Sequence, residues 1–205
     1  MTGQTHIVAG VAAAAVVATI THHSLTPALI VCGGIGGLAP DLDHPEALLT
    51  RHVPGISWVV RMGQAAGWWR HRGLWHSLLF WMGTLILVPV LGRLMLHGLW
   101  AVGVGLGHPE SVTWLRHLWG SGSDWGWGAG YLSHMLIDTW NTTGVQWFWP
   151  VRLWVHSPVP NILVGTWPET LIRWGIQGAL ILWRPELGIL VVASSWGIYQ
   201  SIHWI

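Results

Sequence analysis

From Leu74 to Leu96 the chain is apolar almost without a break, with Arg93 as its one formal charge and Pro89 as an interruption. A bilayer's hydrocarbon core is about 30 Å thick and a helix rises about 1.5 Å per residue, so crossing takes about 20 such residues. This stretch is the clearest transmembrane helix in the chain, and the other apolar stretches are read in its light.

The composition agrees. Hydrophobic residues make up 52% of the chain and charged residues 8%, where an ordinary soluble domain carries about 25% charge. There are 19 Trp against two Phe and two Tyr. Trp favours the membrane interface, where its ring is buried and its N–H stays wet. All nine basic residues are Arg, and the net charge is +1 with His neutral. That excludes the broad basic footprint of a nucleic-acid binder, and no nucleic-acid partner is expected. The 205 residues suit one domain spanning 1–205, with no internal repeat or low-complexity linker. Cys32 is the one cysteine, lies in an apolar stretch and reads as a small core residue.

Ile7–Ile20 is Ala/Val-rich, lacks a basic n-region and a cleavage site, and is not expected to be a removed signal peptide. It is short for a full span. Leu25–Ala39 contains Gly33, Gly34, Gly36 and Gly37, and the two segments are expected to pack as a tight helical hairpin. A phosphate-binding glycine loop is disfavoured, because no Lys-Ser/Thr follows. Residues 40–73 form a polar stretch, 97–124 a Gly- and Trp-rich loop, Trp125–Trp140 a helix, 141–186 a second long loop region, and Leu187–His203 a last helix. The fold expected is an all-α, polytopic helical membrane protein with four to six apolar helices.

Loop charge gives an orientation. Arg51, Arg61, Arg70 and Arg72 lie in 40–73, and Arg152, Arg173 and Arg184 in 141–186, against Arg116 alone in 97–124. The positive-inside rule places the first two regions in the cytoplasm. His6 ahead of the first helix, Asp41, Asp43 and His44 after the second, His71 and His76 around the start of the third, and His134 and Asp138 near the end of the fourth then meet at one membrane face. His22, His23, His97, His108 and His117 fall at the other and should be dispensable.

His134 and Asp138, four apart, share one helix face. An imidazole and a carboxylate in so apolar a setting are costly unless they pair, face a wet cavity or hold a metal. Pro40 discourages helix, and an extended Asp41-Leu42-Asp43 aims both carboxylates the same way. One could bridge two metals while the other orients a His ligand; a polar helix end with Asp as cap is the plainer alternative. His71 is expected in a loop and His76 on the first helical turn. Arg72 between them suits bidentate phosphate binding, or belongs to an interfacial Arg/His cluster. Glu169 either completes the metal shell or is a helix N-terminal acid favoured by the dipole. Mixed His and Asp ligands suit Zn²⁺ or another borderline divalent ion, with Mn²⁺ the alternative and room for two or three ions left open.

Taken in order, Thr5-His6, Pro40-Asp41-Leu42-Asp43-His44, His71-Arg72-Gly73 with His76-Ser77, Gly130-Tyr131 with Ser133-His134 and Asp138, then Gly144 and Trp149-Pro150, form a set. The set resembles the YdjM-like family of bacterial inner-membrane proteins, described as membrane-bound metal-dependent hydrolases. It covers residues 5 to 150. The resemblance implies a multi-pass protein of the bacterial inner membrane, with metal or catalytic roles for His6, Asp41, Asp43, His44, His71, His76, His134 and Asp138. Trp75 departs from a Thr, and Asn141-Thr142 from a Thr-Pro pair. The motif style is also distantly similar to the zinc-dependent phospholipase C and single-strand nuclease group, which implies phosphoester hydrolysis.

Two functions follow as expectations. In the first, metal-activated water attacks a phosphoester of a lipid or lipid-linked substrate, with Asp41 or Asp43 taking the proton and Arg72 holding phosphate oxygens. In the second, intramembrane His and Asp residues form the relay of a metal-ion or proton transporter.

Overall fold

The structure is a computed structural model and describes residues 1–52, 55–66, 71–105, 113, 122–158 and 162–193. Among these residues it is all-helical, with two isolated β-bridges, Asn141 to Ile162 and Val145 to Val155, and no strand. The α-helices are α1 Gly3–Ile20, α2 Pro27–Gly36, α3 Leu48–His52, α4 Ile56–Ala65, α5 Leu78–Gly105, α6 Ser123–Asp138 and α7 Trp167–Trp183. Residues 185–193 are also helical. Short 3-10 turns at Ala39–Asp43 and Leu74–His76 carry much of the polar chemistry.

The expected hairpin of α1 and α2 is present, and α6 packs against both. Glycine makes this possible. A Cβ on Gly130 of α6 would stand 2.0 Å from the Gly33 carbonyl oxygen of α2, and one on Gly37 would stand 2.4 Å from the His6 carbonyl oxygen. Side chains there would hold the three backbones apart. Below this contact Val8, Val11, Ala14, Ala15 and Ala18 of α1 pack on Leu29, Ile30, Leu180, Leu187 and Val191.

Several boundaries differ from the sequence reading. The first helix begins at Gly3 rather than Ile7, so His6 lies within α1 rather than ahead of it. Its amide closes a helical bond to Thr2 O at 3.2 Å. Asp41 and Asp43 sit in a 3-10 turn instead of an extended strand, because Pro40 is accommodated at its first positions. The third helix runs through Pro89 and past Leu96 to Gly105, so His97 lies on a helix and not in a loop. Region 141–186, read as a loop, contains the whole of α7. Its start is legible afterwards: Thr166 is extended, Pro168 occupies an early helical position and Glu169 adds an acid to the first turn. The expected span Leu187–His203 is helical to residue 193, and the remainder lies outside the described residues, as do His108, His117, Arg70 and Arg116.

Among the described residues two helices are long and apolar enough to cross a membrane, α1 and Leu78–Val104 of α5. The first is half buried inside the protein. The second presents Ile86, Leu87, Leu94 and Val102 outward, where a helix facing water would be polar. Trp81 and Trp127 fasten α5 to α6, through Trp81 Nε1 to Gly128 O at 3.0 Å and Trp127 Nε1 to Thr84 Oγ1 at 3.1 Å.

Candidate metal centre

The packing of α1, α2 and α6 brings His6 and His134 ring to ring, stacked with centroids 3.6 Å apart. On α6, the four-residue spacing predicted from sequence places Asp138 Oδ2 3.8 Å from His134 Nε2. The 3-10 turn at the end of α2 swings Asp41 in, and the turn before α5 delivers His76. His134 Nε2 then lies 3.2 Å from His76 Nε2 and 3.6 Å from Asp41 Oδ1, and His76 Nε2 lies 3.6 Å from that same Asp41 oxygen. Donor atoms of Asp41, His76, His134 and Asp138 all fall within 4.8 Å of one another.

The tautomer of His134 follows from its far side. Nδ1 stands 2.7 Å from Gly37 O, an acceptor that requires a proton on Nδ1. The Nε2 lone pair therefore faces the cluster, the arrangement of an imidazole ligand oriented by a backbone carbonyl. Asp138 is held as well: Asn141 Nδ2 donates to Oδ1 at 3.2 Å, the Met1 amino nitrogen bonds to Oδ1, and the Arg72 guanidinium is 3.3 Å from Oδ2.

A second group, Asp43, His71 and His76, adjoins the first through His76. Asp43 is fully buried; Oδ1 pairs with His71 Nδ1 at 2.7 Å, and Oδ2 accepts from Arg72 N at 3.2 Å and lies 3.7 Å from His76 Nδ1. Asp43 thus stands behind two imidazoles whose Nε2 atoms remain for other partners. Arg72 adopts φ +64°, a left-handed conformation that is unfavourable for a residue with a side chain. That backbone pose lets its amide reach Asp43 while its guanidinium reaches Asp138 and Thr143.

These residues fit a divalent ion. His6 Nδ1 and Nε2, His76 Nδ1 and Asp138 Oδ2 are buried without a hydrogen-bond partner among the described residues. Leaving such groups unsatisfied costs about 1–3 kcal/mol each, and more where charge is involved. A cation satisfies lone pairs that these side chains cannot satisfy for each other. The electrostatics point the same way. Burial opposes ionisation of Asp41, but the neighbouring His134, His76 and His6 outweigh it and hold the carboxyl well below its usual range. For His76, burial disfavours the charged form, yet the hydrogen bond to Asp41 and the carboxylates of Asp43, Asp41 and Asp138 raise its pKa above the ordinary 6.5.

Of the nine residues expected to hold metal, the structure gathers His6, Asp41, Asp43, His71, His76, His134 and Asp138. His44 stands at the edge: its ring is 4.8 Å from that of His71, and its Nδ1 accepts from Glu46 N at 3.3 Å. Burial and nearby His71 lower its pKa despite the surrounding acids. Glu169 is not brought into either group; its oxygens are taken up by Thr2, Thr5 and Gly165. His22, His23 and His97 are exposed. Sequence reasoning named Asn141 only as a departure from the family pattern, although an Asn three residues after Asp138 on a helix end is placed to bond it. It passed over Gln64, whose Nε2 donates to Asp43 O at 2.7 Å.

A cavity of about 530 Å³ opens onto the group, lined by Asp41, His44, His71, Arg72, Arg51 and Leu48 among others. A second, of about 340 Å³, is reached past His71 and Arg72 and includes Asn141, Thr143 and Trp154.

Among the described residues, an all-helical architecture with two helices long and apolar enough to cross a membrane accompanies a buried His/Asp cluster that could hold a cation, features that fit a membrane protein with a metal-type centre. The chain belongs to the family described as YdjM inner membrane protein, which it matches over residues 1–203. It is 25% identical over 177 residues to the uncharacterized protein YvsG of Bacillus subtilis (strain 168), covering 86% of this chain and 89% of that relative. No solved structure matches.

Proposed function

We propose that the protein is a multi-pass inner-membrane hydrolase that uses a divalent metal, Zn²⁺ by ligand type, to cleave a phosphoester of a lipid or lipid-linked substrate. One observation carries this reading: the buried His/Asp cluster abuts a cavity that also presents Arg51 and Arg72. Metal ligands beside two guanidinium groups suit an anionic substrate with oxygens to be gripped.

When bound, the ion supplies Lewis acidity and makes a water acidic enough to react near neutral pH. His6, Asp41, His76, His134 and Asp138 would hold it, with Asp43 orienting His71 and His76 from behind. Asp41, ionised at neutral pH and still 17% exposed on the cavity side, is placed to accept the water's proton. Arg72 donates to phosphate oxygens, its guanidinium kept beside the cluster by Asp138 and Thr143. The apolar outer face of α5 favours a substrate that resides in the membrane, and the Arg bias of the loops supports a cytoplasmic face for the cluster.

Transport fits less well. A relay needs ionisable groups through the membrane depth, and beyond the cluster the buried positions of α1 are Val, Ala and Gly. The test is an assay of purified, metal-loaded protein on vesicle-borne phosphoester lipids. Release of a phosphate-bearing or phosphate-free head group, lost in His134→Ala, is the expected result. Absence of cleavage together with unchanged metal content in His134→Ala overturns the reading. Metal uptake into proteoliposomes that depends on His134 would point to transport instead.

A further inference from the structure

Helix α1 carries His6 into the centre, yet its own N-terminus is incompletely provided for. Thr2 at its N-cap makes no side-chain capping bond, and its first turn contains no acid. The first four N–H groups of a helix need acceptors, and that end favours negative charge. Glu169 of α7 brings the negative charge and accepts from one of those N–H groups, that of Thr2. Glu169 Oε1 accepts from Thr2 N at 2.5 Å, Thr2 Oγ1 at 2.7 Å and Thr5 Oγ1 at 2.6 Å, while Oε2 accepts from Gly165 N at 2.7 Å. Glu169 is 2% exposed. A second strut from the same helix, Arg173 to Gln4 Oε1 at 2.6 Å, lies beside it.

We propose that Glu169 is a positioning residue for the metal centre, an N-terminal cap supplied from a different helix that sets His6 against Asp138 and His134. The inference rests on reading the cluster as a metal site, and is independent of whether that site hydrolyses anything. His6 follows Thr5 directly, and neither of its ring nitrogens has a hydrogen-bond partner among the described residues. Its Nε2 lies 3.3 Å from Asp138 Oδ1, so the pose of its ring is set by the backbone of α1, by that contact and by its stack on His134. Glu169 itself lies in neither group of metal-type donors, and four donors already point at its two oxygens, three of them at Oε1. Its contribution is to hold the turn from which His6 projects, as outer partners of metal ligands commonly do.

Glu169→Gln keeps the size but replaces one acceptor oxygen with a donor, which faces either Gly165 N or the Thr2–Thr5 donors. Three readouts on the full-length purified protein test the role: Co²⁺ affinity, the Co²⁺ absorption spectrum, and amide hydrogen exchange at residues 3–6. Glu169→Gln should weaken Co²⁺ binding about 10- to 100-fold, move the spectrum towards that of His6→Ala, and speed exchange at Thr5 and His6 while leaving the amides of α6 unchanged. In a His6→Ala background it should add no further loss, since it acts through His6. Thr5→Val, which removes one of the four donors, is the gentler variant and should shift all three readouts the same way. Undiminished loss in the His6→Ala background would show that Glu169 does not act through His6 and overturn the proposal, as would unchanged affinity and spectrum in both variants. A wild-type protein that takes up no Co²⁺, Zn²⁺ or Mn²⁺ removes the metal reading. Exchange still decides the cap in that case: faster exchange at Thr5 and His6 upholds it, and unchanged exchange overturns it.

Discussion

The two groups of the centre share His76 but differ in their surroundings. His6, His134 and Asp138 are held by helices in backbone-to-backbone contact, Asp41 and His76 join them from 3-10 turns, and all but Asp41 are 0–1% exposed. Asp43, His71 and neighbouring His44 rest on a 3-10 turn and a loop, with the His71 side chain 29% exposed on the cavity wall. Rigid, desolvated donors suit permanent retention of an ion, since any alternative arrangement leaves buried polar atoms unpaired. Partly exposed donors on loops suit exchange and contact with a substrate. The inner group should therefore govern metal content, and the outer group should govern turnover.

The sharpest way to break this comparison is His134→Ala or Asp138→Asn. Loss of an inner ligand should reduce metal affinity by more than about 100-fold, above the effect of an outer partner, as elemental analysis of the purified protein would read. Metal retained in both variants would dissolve the distinction. Next in size is Arg72→Lys, which keeps the charge but loses the planar fork. Turnover should fall roughly 10²- to 10³-fold, the scale of a lost transition-state donor, while metal content stays near wild type. Asp43→Asn sharpens the boundary between the groups, because Asp43 backs imidazoles of both. Metal affinity should fall about 10- to 100-fold by competition titration, less than for His134→Ala.

A pH titration separates the empty from the loaded centre. The raised pKa of His76 means that its charged form stabilises the metal-free protein. That stability is fully present below the unfolded value of about 6.5 and is lost as pH rises through the higher folded value. Metal binding needs the neutral ring, so affinity should climb over the same window, by at most about tenfold per pH unit for one displaced proton. Thermal melts of the metal-free protein and metal titrations between pH 6 and 9 should run in opposite directions, and His76→Gln should flatten both. The smallest effects belong to the periphery. His44→Ala should change KM by less than about tenfold, as an edge contact to the cavity, and His22→Ala and His23→Ala should leave metal content and activity unaltered.

The residues of the centre were legible in the sequence because each is an anomaly: His6, Asp41, His76, His134 and Asp138 are polar groups in apolar company, and such groups need partners. The glycines at 33–37 announced close packing for the same reason, by lacking side chains where a helix would ordinarily carry them. What stayed hidden is whatever backbone atoms and distant chain segments contribute. Gly37 O, which sets the tautomer of His134, has no signature in residue type. Helix α7 was concealed because Arg173 and Arg184 made 141–186 look like a polar loop, when Arg173 in fact reaches across to Gln4. The acid at 169 could be seen, but whether it faced a metal or a helix end depended on a long-range contact with Thr2 and Thr5.

The close approach at Gly130 has a consequence for selectivity among ions. Gly130 lies one helical turn before His134, so the gap between α6 and α2 is also the gauge that sets how far His134 stands from the donors opposite. Metal–ligand distances are held to about 0.2 Å, whereas relieving a methyl placed 2.0 Å from Gly33 O would require a displacement several times larger. The size of ion that this centre would admit is thus calibrated by a carbonyl and a missing side chain that would never touch it.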